Sequence, residues 1–138
     1  MSVVFFTDRD LGKQFPEILA AAGLTVHSHF GLSDPSTPDR EWLAQVSAKD
    51  WVAVTHDKRI RYKPNELAAV VEHRAALLVV IGDAPHAELA ASFVAIKDKV
   101  IAFVAAHERP FIAKVYRPSP AETKANPGAP GRIEKWYP

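Results

Sequence analysis

The sequence predicts a three-layer α/β/α sandwich around a mostly parallel central sheet. Three observations predict it. Short apolar runs stand at Val3–Phe6, Trp51–Val54 and Ala76–Ile81, and each reads as a strand buried on both faces, as a parallel sheet requires. Between them, apolar residues recur at spacings of three and four, the helical period. Each run stops abruptly in polar residues, at Thr7-Asp8-Arg9-Asp10, Thr55-His56-Asp57 and Gly82-Asp83. Strands alternating with helices imply right-handed crossovers with helices on both faces of the sheet.

The elements follow in order. The first strand stops at Thr7, and Leu11, Phe15, Ile18, Leu19 and Ala22 mark a helix that Gly23 ends. Asp10 reads as the N-cap of that helix. Leu24-Thr25-Val26 is a weaker second strand, leading to His27 and His29. Gly31 to Thr37 is loop. Thr37 then caps a helix with Pro38 at its first position, where the missing N–H costs nothing. Trp42, Leu43 and Val46 are its apolar stripe. The third strand is 51–55. Pro64-Asn65 opens a helix with Leu67, Val70 and Val71 inward, and the fourth strand is 76–81. One long helix is expected over 86–108, with Leu89, Phe93, Ile96, Val100, Phe103 and His107 on one stripe. Phe111–Tyr116 is the last expected strand. Pro118, Pro120, Pro127, Pro130 and Pro138 crowd the remainder, so the division expected is one domain over 1–117 and an extended Pro-rich tail over 118–138.

Composition bounds the function. At 138 residues and 15.2 kDa the chain is one domain with room for a real core. Its net charge of +1 names no partner, so any basic patch must be local. The lack of cysteine excludes disulfides and Cys-based zinc sites and suits a reducing compartment. Six scattered histidines show no metal-ligand spacing, although His27 and His29 invite a zinc reading. The apolar start is too short for a signal h-region or a membrane span, so a soluble cytoplasmic protein without membrane association is expected.

Acids gather where the strands end. In an α/β sheet, ligands bind outside the carboxyl ends of the strands. Asp8 follows the first strand and Asp57 the third. Asp39 lies three and four residues before Trp42 and Leu43, so it shares their face at the start of its helix. Glu41 points elsewhere and is the alternative helix acid. Asp83, closing the fourth strand, is a reserve ligand. Three such carboxylates about 5 Å apart repel by about 3 kcal/mol per pair at an effective dielectric near 20. Hard oxygen donors without cysteine suit Mg²⁺ or Mn²⁺, which can activate water for phosphoryl displacement. Removing one charge, as in Asp57→Asn, is then expected to raise stability without metal. Arg9, Lys58, Arg59, Arg61 and Lys63 are candidate contacts for a phosphodiester backbone.

Val-Phe-Phe-Thr-Asp8-Arg-Asp-Leu-Gly, Pro-Asp39-Arg-Glu-Trp-Leu and Trp-Val-Ala-Val-Thr55-His-Asp57-Lys-Arg-Ile-Arg61 resemble PIN-like domains over about residues 2–82. They are most similar to the compact subgroup related to VapC-type toxins. The resemblance implies a metal-dependent endoribonuclease acting on RNA, often the toxin of a toxin–antitoxin pair. Asp8, Asp39 and Asp57 match its metal-binding acids, with Glu41 as an alternative match. Many PIN domains carry a second acid after Thr-x-Asp, whereas this chain has Arg59. A cognate antitoxin and a second copy of the chain are the protein partners to expect.

Two other classes fit part of the pattern. A phosphoacceptor receiver domain also has acids after its first and third strands, and Lys114 could serve as its last-strand lysine. It wants a hydroxyl residue ending the fourth strand, where Ile81-Gly82-Asp83 stands, and it leaves Asp39 unexplained. A catalytically silent RNA- or protein-binding module is the third. Trp136-Tyr137 reads either as an anchor on the body or as a partner contact.

Overall fold

The structure, a computed structural model, describes residues 3–29 and 39–138, with only the backbone at 39, 40 and 61. The loop expected over 31–37 and the caps expected at Thr37 and Pro38 lie outside the described residues.

Six strands form one sheet in the order β2-β1-β3-β4-β5-β6. They are β1 (Val4–Thr7), β2 (Thr25–Ser28), β3 (Val52–Thr55), β4 (Ala76–Ile81), β5 (Phe111–Tyr116) and β6 (Arg132–Tyr137). The first five are parallel and β6 runs antiparallel to β5. The helices are α1 (Gln14–Ala21), α2 (Asp39–Ala48), α3 (Pro64–Glu72), α4 (His86–Ala95), α5 (Lys97–Ala106) and α6 (Pro120–Ala125).

Strand side chains alternate between the faces, and the core divides accordingly. Phe5, Val52, Val54, Leu78, Val80 and Phe111 pack beneath Phe15 and Leu19 of α1, Phe93 of α4 and Val100 of α5. Phe6, Ala53, Leu77, Val79 and Ile112 pack against Trp42, Leu43 and Val46 of α2 and Val70 of α3. This is the three-layer arrangement expected. Burial of the central strands on both faces is why they read as unbroken apolar runs.

Two expectations are corrected. The helix expected over 86–108 is two helices, α4 and α5, separated at Ile96. Ile96 is buried, so the bend keeps one apolar stripe on the sheet. Nor is 118–138 a tail apart from the core. Its last residues form β6, paired along β5 from Tyr116↔Arg132 to Ile112↔Tyr137. Trp136 and Tyr137 pack on the α2–α3 face and Ile133 on the other. Proline density hid this strand, because those prolines fall between β5 and β6 and at the chain end rather than inside the ladder.

Candidate functional site

The strand order places the chain reversal between β1 and β3, because β2 lies on one side of β1 and β3 on the other. The crevice outside the carboxyl ends of strands at such a point is where open α/β sheets bind ligands. Here Asp8 and Asp10 leave β1 while Thr55, His56 and Asp57 leave β3. The Asp8 N–H donates to Val54 O at 2.8 Å, locking the two strand ends together.

The two loops meet through one hydroxyl. Thr55, fully buried, has its Oγ1 at 3.0 Å from Asp8 Oδ2 and 3.0 Å from Asp10 Oδ2. The Asp57 N–H donates to the same oxygen at 3.2 Å. Both carboxylate oxygens are therefore at most twice that 3.0 Å apart. A hydroxyl has a single proton and can donate to only one of them. The other close approach is favoured by any proton or cation that lies near the pair. The Asp10 carboxylate also accepts the His56 N–H, at 3.0 Å to Oδ1 and 3.1 Å to Oδ2. Burial pushes the Asp10 carboxyl up from its ordinary 3.8, and the charge of Asp57 adds to the rise, against the hydrogen bonds from His56 and Thr55.

Asp57 is stabilised in the opposite sense. Burial alone would raise it. The Lys63 ammonium at 2.6 Å from Oδ2, the Arg59 N–H at 3.0 Å from Oδ1 and the charges of both cations hold its carboxyl below 3.8. Its side chain is 16% exposed, Lys63 37% and Arg59 78%, so Lys63 is the stronger partner and Arg59 adds little. The Asp57 charge is thus already balanced by the protein. At Asp10, by contrast, burial outweighs the hydrogen bonds that favour the charged form.

A cleft of about 550 Å³ opens beside this junction. Asp10, His56 and Asp57 line it with Lys58, Arg59 and Asp83. His56 bridges the β3 and β4 ends, its Nε2 lying 2.9 Å from Gly82 O. Of the site residues expected from sequence, Asp8, Asp57, Asp83, Lys58 and Arg59 therefore meet at one sheet edge. Lys63 is there as the partner of Asp57. Arg9 turns the other way, its Nε donating to Nδ1 of buried His29 at 2.7 Å. Glu41 lies elsewhere, in a groove with Asn65 and Glu72 of α3 and His73 at its end. The side chains of Asp39 and Arg61 lie outside the described residues. Asp39 is the first residue of α2, and Trp42 one turn on packs against Phe6 of β1 with ring centroids 5.4 Å apart.

Sequence reasoning passes over Asp10 by reading it as a helix cap. The cap of the 3-10 turn Arg9–Leu11 is instead Asp8, whose Oδ1 accepts the Arg9 N–H at 2.7 Å. A second acid two residues after the strand end, opposite a Thr on the neighbouring strand, is the signal that could have found it. The zinc reading of His27 and His29 also fails. His27, inside β2, stacks on Trp51 with centroids 4.3 Å apart, whereas His29 lies beyond the end of β2 and accepts from Arg9. Among the described residues no three His, Cys, Asp or Glu side chains are grouped to hold a metal by themselves. Lys114 does not line the cleft. Its Nζ lies 4.1 Å from the Trp136 ring centroid, which removes the lysine a receiver domain needs beside its acids.

Among the described residues no helix is long and apolar enough to cross a membrane. No curated protein and no solved structure matches the chain. Comparison with known families matches residues 3–82 to the PIN like domain, a segment that begins just before β1, includes Asp8, Asp10, Thr55 and Asp57, and ends at Gly82 beside the cleft. With that match over more than half of its length and the sheet edge it builds, the chain belongs to the PIN-like domain family, a nuclease-type fold.

Proposed function

We propose that this protein is a metal-dependent endoribonuclease that hydrolyses phosphodiester bonds in RNA. The observation that carries the reading is the pair of carboxylates, Asp8 and Asp10, brought to one Thr55 hydroxyl from the ends of neighbouring strands. PIN domains generally use divalent metal ions, and the donor set here fits one. Mg²⁺ is commonly held by only one or two carboxylates, with substrate phosphate and water completing the shell. Asp8 and Asp10 would hold Mg²⁺ or Mn²⁺, with Asp39 and Asp57 as the further acids matched by the family resemblance and Asp83 in reserve. Such an ion supplies charge to the phosphoryl oxygens and lowers the pKa of bound water.

The chain's own residues do the rest. Thr55 and the His56 N–H fix the Asp10 carboxylate; Lys63 and the Arg59 N–H fix that of Asp57. Lys58 and Arg59, exposed on the cleft rim, are placed to take phosphate charge. The VapC-type resemblance extends the reading to a toxin neutralised by a cognate antitoxin and able to pair with a second copy of itself.

The direct test is cleavage of end-labelled single-stranded RNA in millimolar Mn²⁺ and in EDTA, with DNA of the same sequence alongside. Wild type should cut RNA only with metal. Asp8→Asn and Asp10→Asn should each lose at least about a hundredfold in rate, the scale of removing one preorganised electrostatic partner. Normal cleavage by both variants would place the chemistry elsewhere. For the toxin role, expression in a bacterial host should arrest growth with the wild type and not with Asp10→Asn.

A further inference from the structure

The loop that carries Asp57 also carries a large aromatic ring into solvent. Tyr62 is 67% exposed, yet its backbone is tightly held. It closes the 3-10 turn Ile60–Tyr62, which is anchored by fully buried Ile60. Its ring stands edge-to-face on Trp136, with centroids 5.7 Å apart and planes at 80°. Trp136 is in turn braced by the Lys114 ammonium and by the α2–α3 side of the core. Trp136 belongs to β6, beyond the segment matched to the family. This chain therefore adds its own backing to a ring at the site.

We propose that Tyr62 is a stacking platform for an unpaired base of single-stranded RNA a few nucleotides from the scissile region; the inference rests on the ribonuclease reading above. Proximity supports it. The Tyr62 N–H donates to Arg59 O at 2.8 Å, and the Arg59 N–H to Asp57 Oδ1 at 3.0 Å. Adding the backbone bonds of one residue, the Tyr62 nitrogen lies no more than about 10 Å from the Asp57 carboxylate, and its ring centre, one side chain further, no more than about 15 Å. That is the reach of about four to five stacked nucleotides, at about 3.4 Å per step along a strand. Charge complementarity supports it as well. Lys58 and Arg59 are exposed in the same loop, so a strand whose phosphates they hold brings its bases past Tyr62. Exposed aromatics beside a basic track are how proteins hold single strands, because every base offers a ring face. A duplex, with its bases already stacked, cannot use such a ring.

The test measures binding in EDTA, where the strand is not cut. The probes are a fluorescent single-stranded RNA ten-mer, the same ten-mer with abasic positions, and a duplex of equal length. Tyr62→Ala should weaken single-strand binding about 5- to 150-fold. It should weaken the abasic and duplex probes far less and leave the salt slope unchanged, since stacking releases no counterions. Tyr62→Phe, which keeps the ring, should retain single-strand affinity. Equal loss on all three probes, or no loss on the single strand, would overturn the inference while wild-type binding and cleavage keep the ribonuclease reading. If wild type neither binds nor cuts RNA, that reading fails and this one with it. Dissociation of a wild-type dimer by Tyr62→Ala, with RNA affinity unchanged, would assign the ring to a protein interface and overturn the inference.

Discussion

Asp10 and Asp57 line the same cleft and respond to it in opposite ways. Asp10 is raised above 3.8, so its carboxyl is uncharged in both folded and unfolded states in strong acid. Its cost to stability sets in as pH rises past the unfolded value and is complete above the folded one. Asp10→Asn should therefore melt higher than wild type at pH 7 without metal, and the gain should vanish below about pH 4. Asp57 is lowered below 3.8; its stabilisation is complete above the unfolded value and is lost as pH falls through the folded one. Asp57→Asn should lose about 1.5–3 kcal/mol at pH 7, the scale of a charge-assisted hydrogen bond, and the deficit should close in acid. Melting curves of the two variants from pH 3 to 8 in EDTA check both signs. The expectation that Asp57→Asn relieves repulsion is thereby reversed, because Lys63 already neutralises that carboxylate. A rise in melting temperature for Asp57→Asn would show that the Lys63 pair is not formed in solution.

At the scale of elements, β6 changes what the C-terminal segment does. Trp136 and Tyr137 are half-buried against the core, and β6 covers the outer edge of β5. Truncation after Arg117 should thus cause a large loss of stability rather than the small one a tail would give. Trp136→Ala alone should cost about 2 kcal/mol, below the 3–5 of a fully buried tryptophan. Gly131→Ala is a sharper probe. A Cβ there would strike the Tyr116 carbonyl oxygen, so even one methyl should push β6 off β5 at its start. Denaturant unfolding of the three variants tests this, and a truncated chain as stable as wild type would show that β6 is not docked.

Across the whole molecule, a net charge of +1 supplies no general attraction for RNA. Binding must come from the local group at the cleft rim. Replacing Lys58 and Arg59 together by Ala should reduce the salt dependence of single-strand binding by about 0.7 log units per log salt for each phosphate no longer held. Thermal stability should hardly move, since both side chains are exposed and Arg59 is only a peripheral partner of Asp57. Affinities measured at several salt concentrations decide it; an unchanged slope would remove these two residues from the RNA path. Mn²⁺ at a hundredfold excess over its dissociation constant should stabilise the wild type by about 2.7 kcal/mol and the Asp10→Asn variant by much less.

By itself the sequence determined the parallel core, the helices as far as α3 and the edge where the acids gather. Val3–Phe6, Trp51–Val54 and Ala76–Ile81 are apolar without interruption because both of their faces are covered, and a local pattern records that burial directly. It also placed Asp8 and Asp57 at strand ends, since the polar break after each run is local too. Only the tertiary structure decided which acids share a partner. Asp10 meets Thr55 across 45 residues of sequence, and no periodicity reports a meeting of two loops. The same holds for Lys63, which follows Asp57 as one more cation in a basic run yet turns back to neutralise it, and for Glu41, sent to another groove by the phase of α2. The strand β6 escaped for a different physical reason. An edge strand lacks the two-sided burial that makes a strand legible, so Arg132–Tyr137 alternates among charged residues and is recognisable only beside β5.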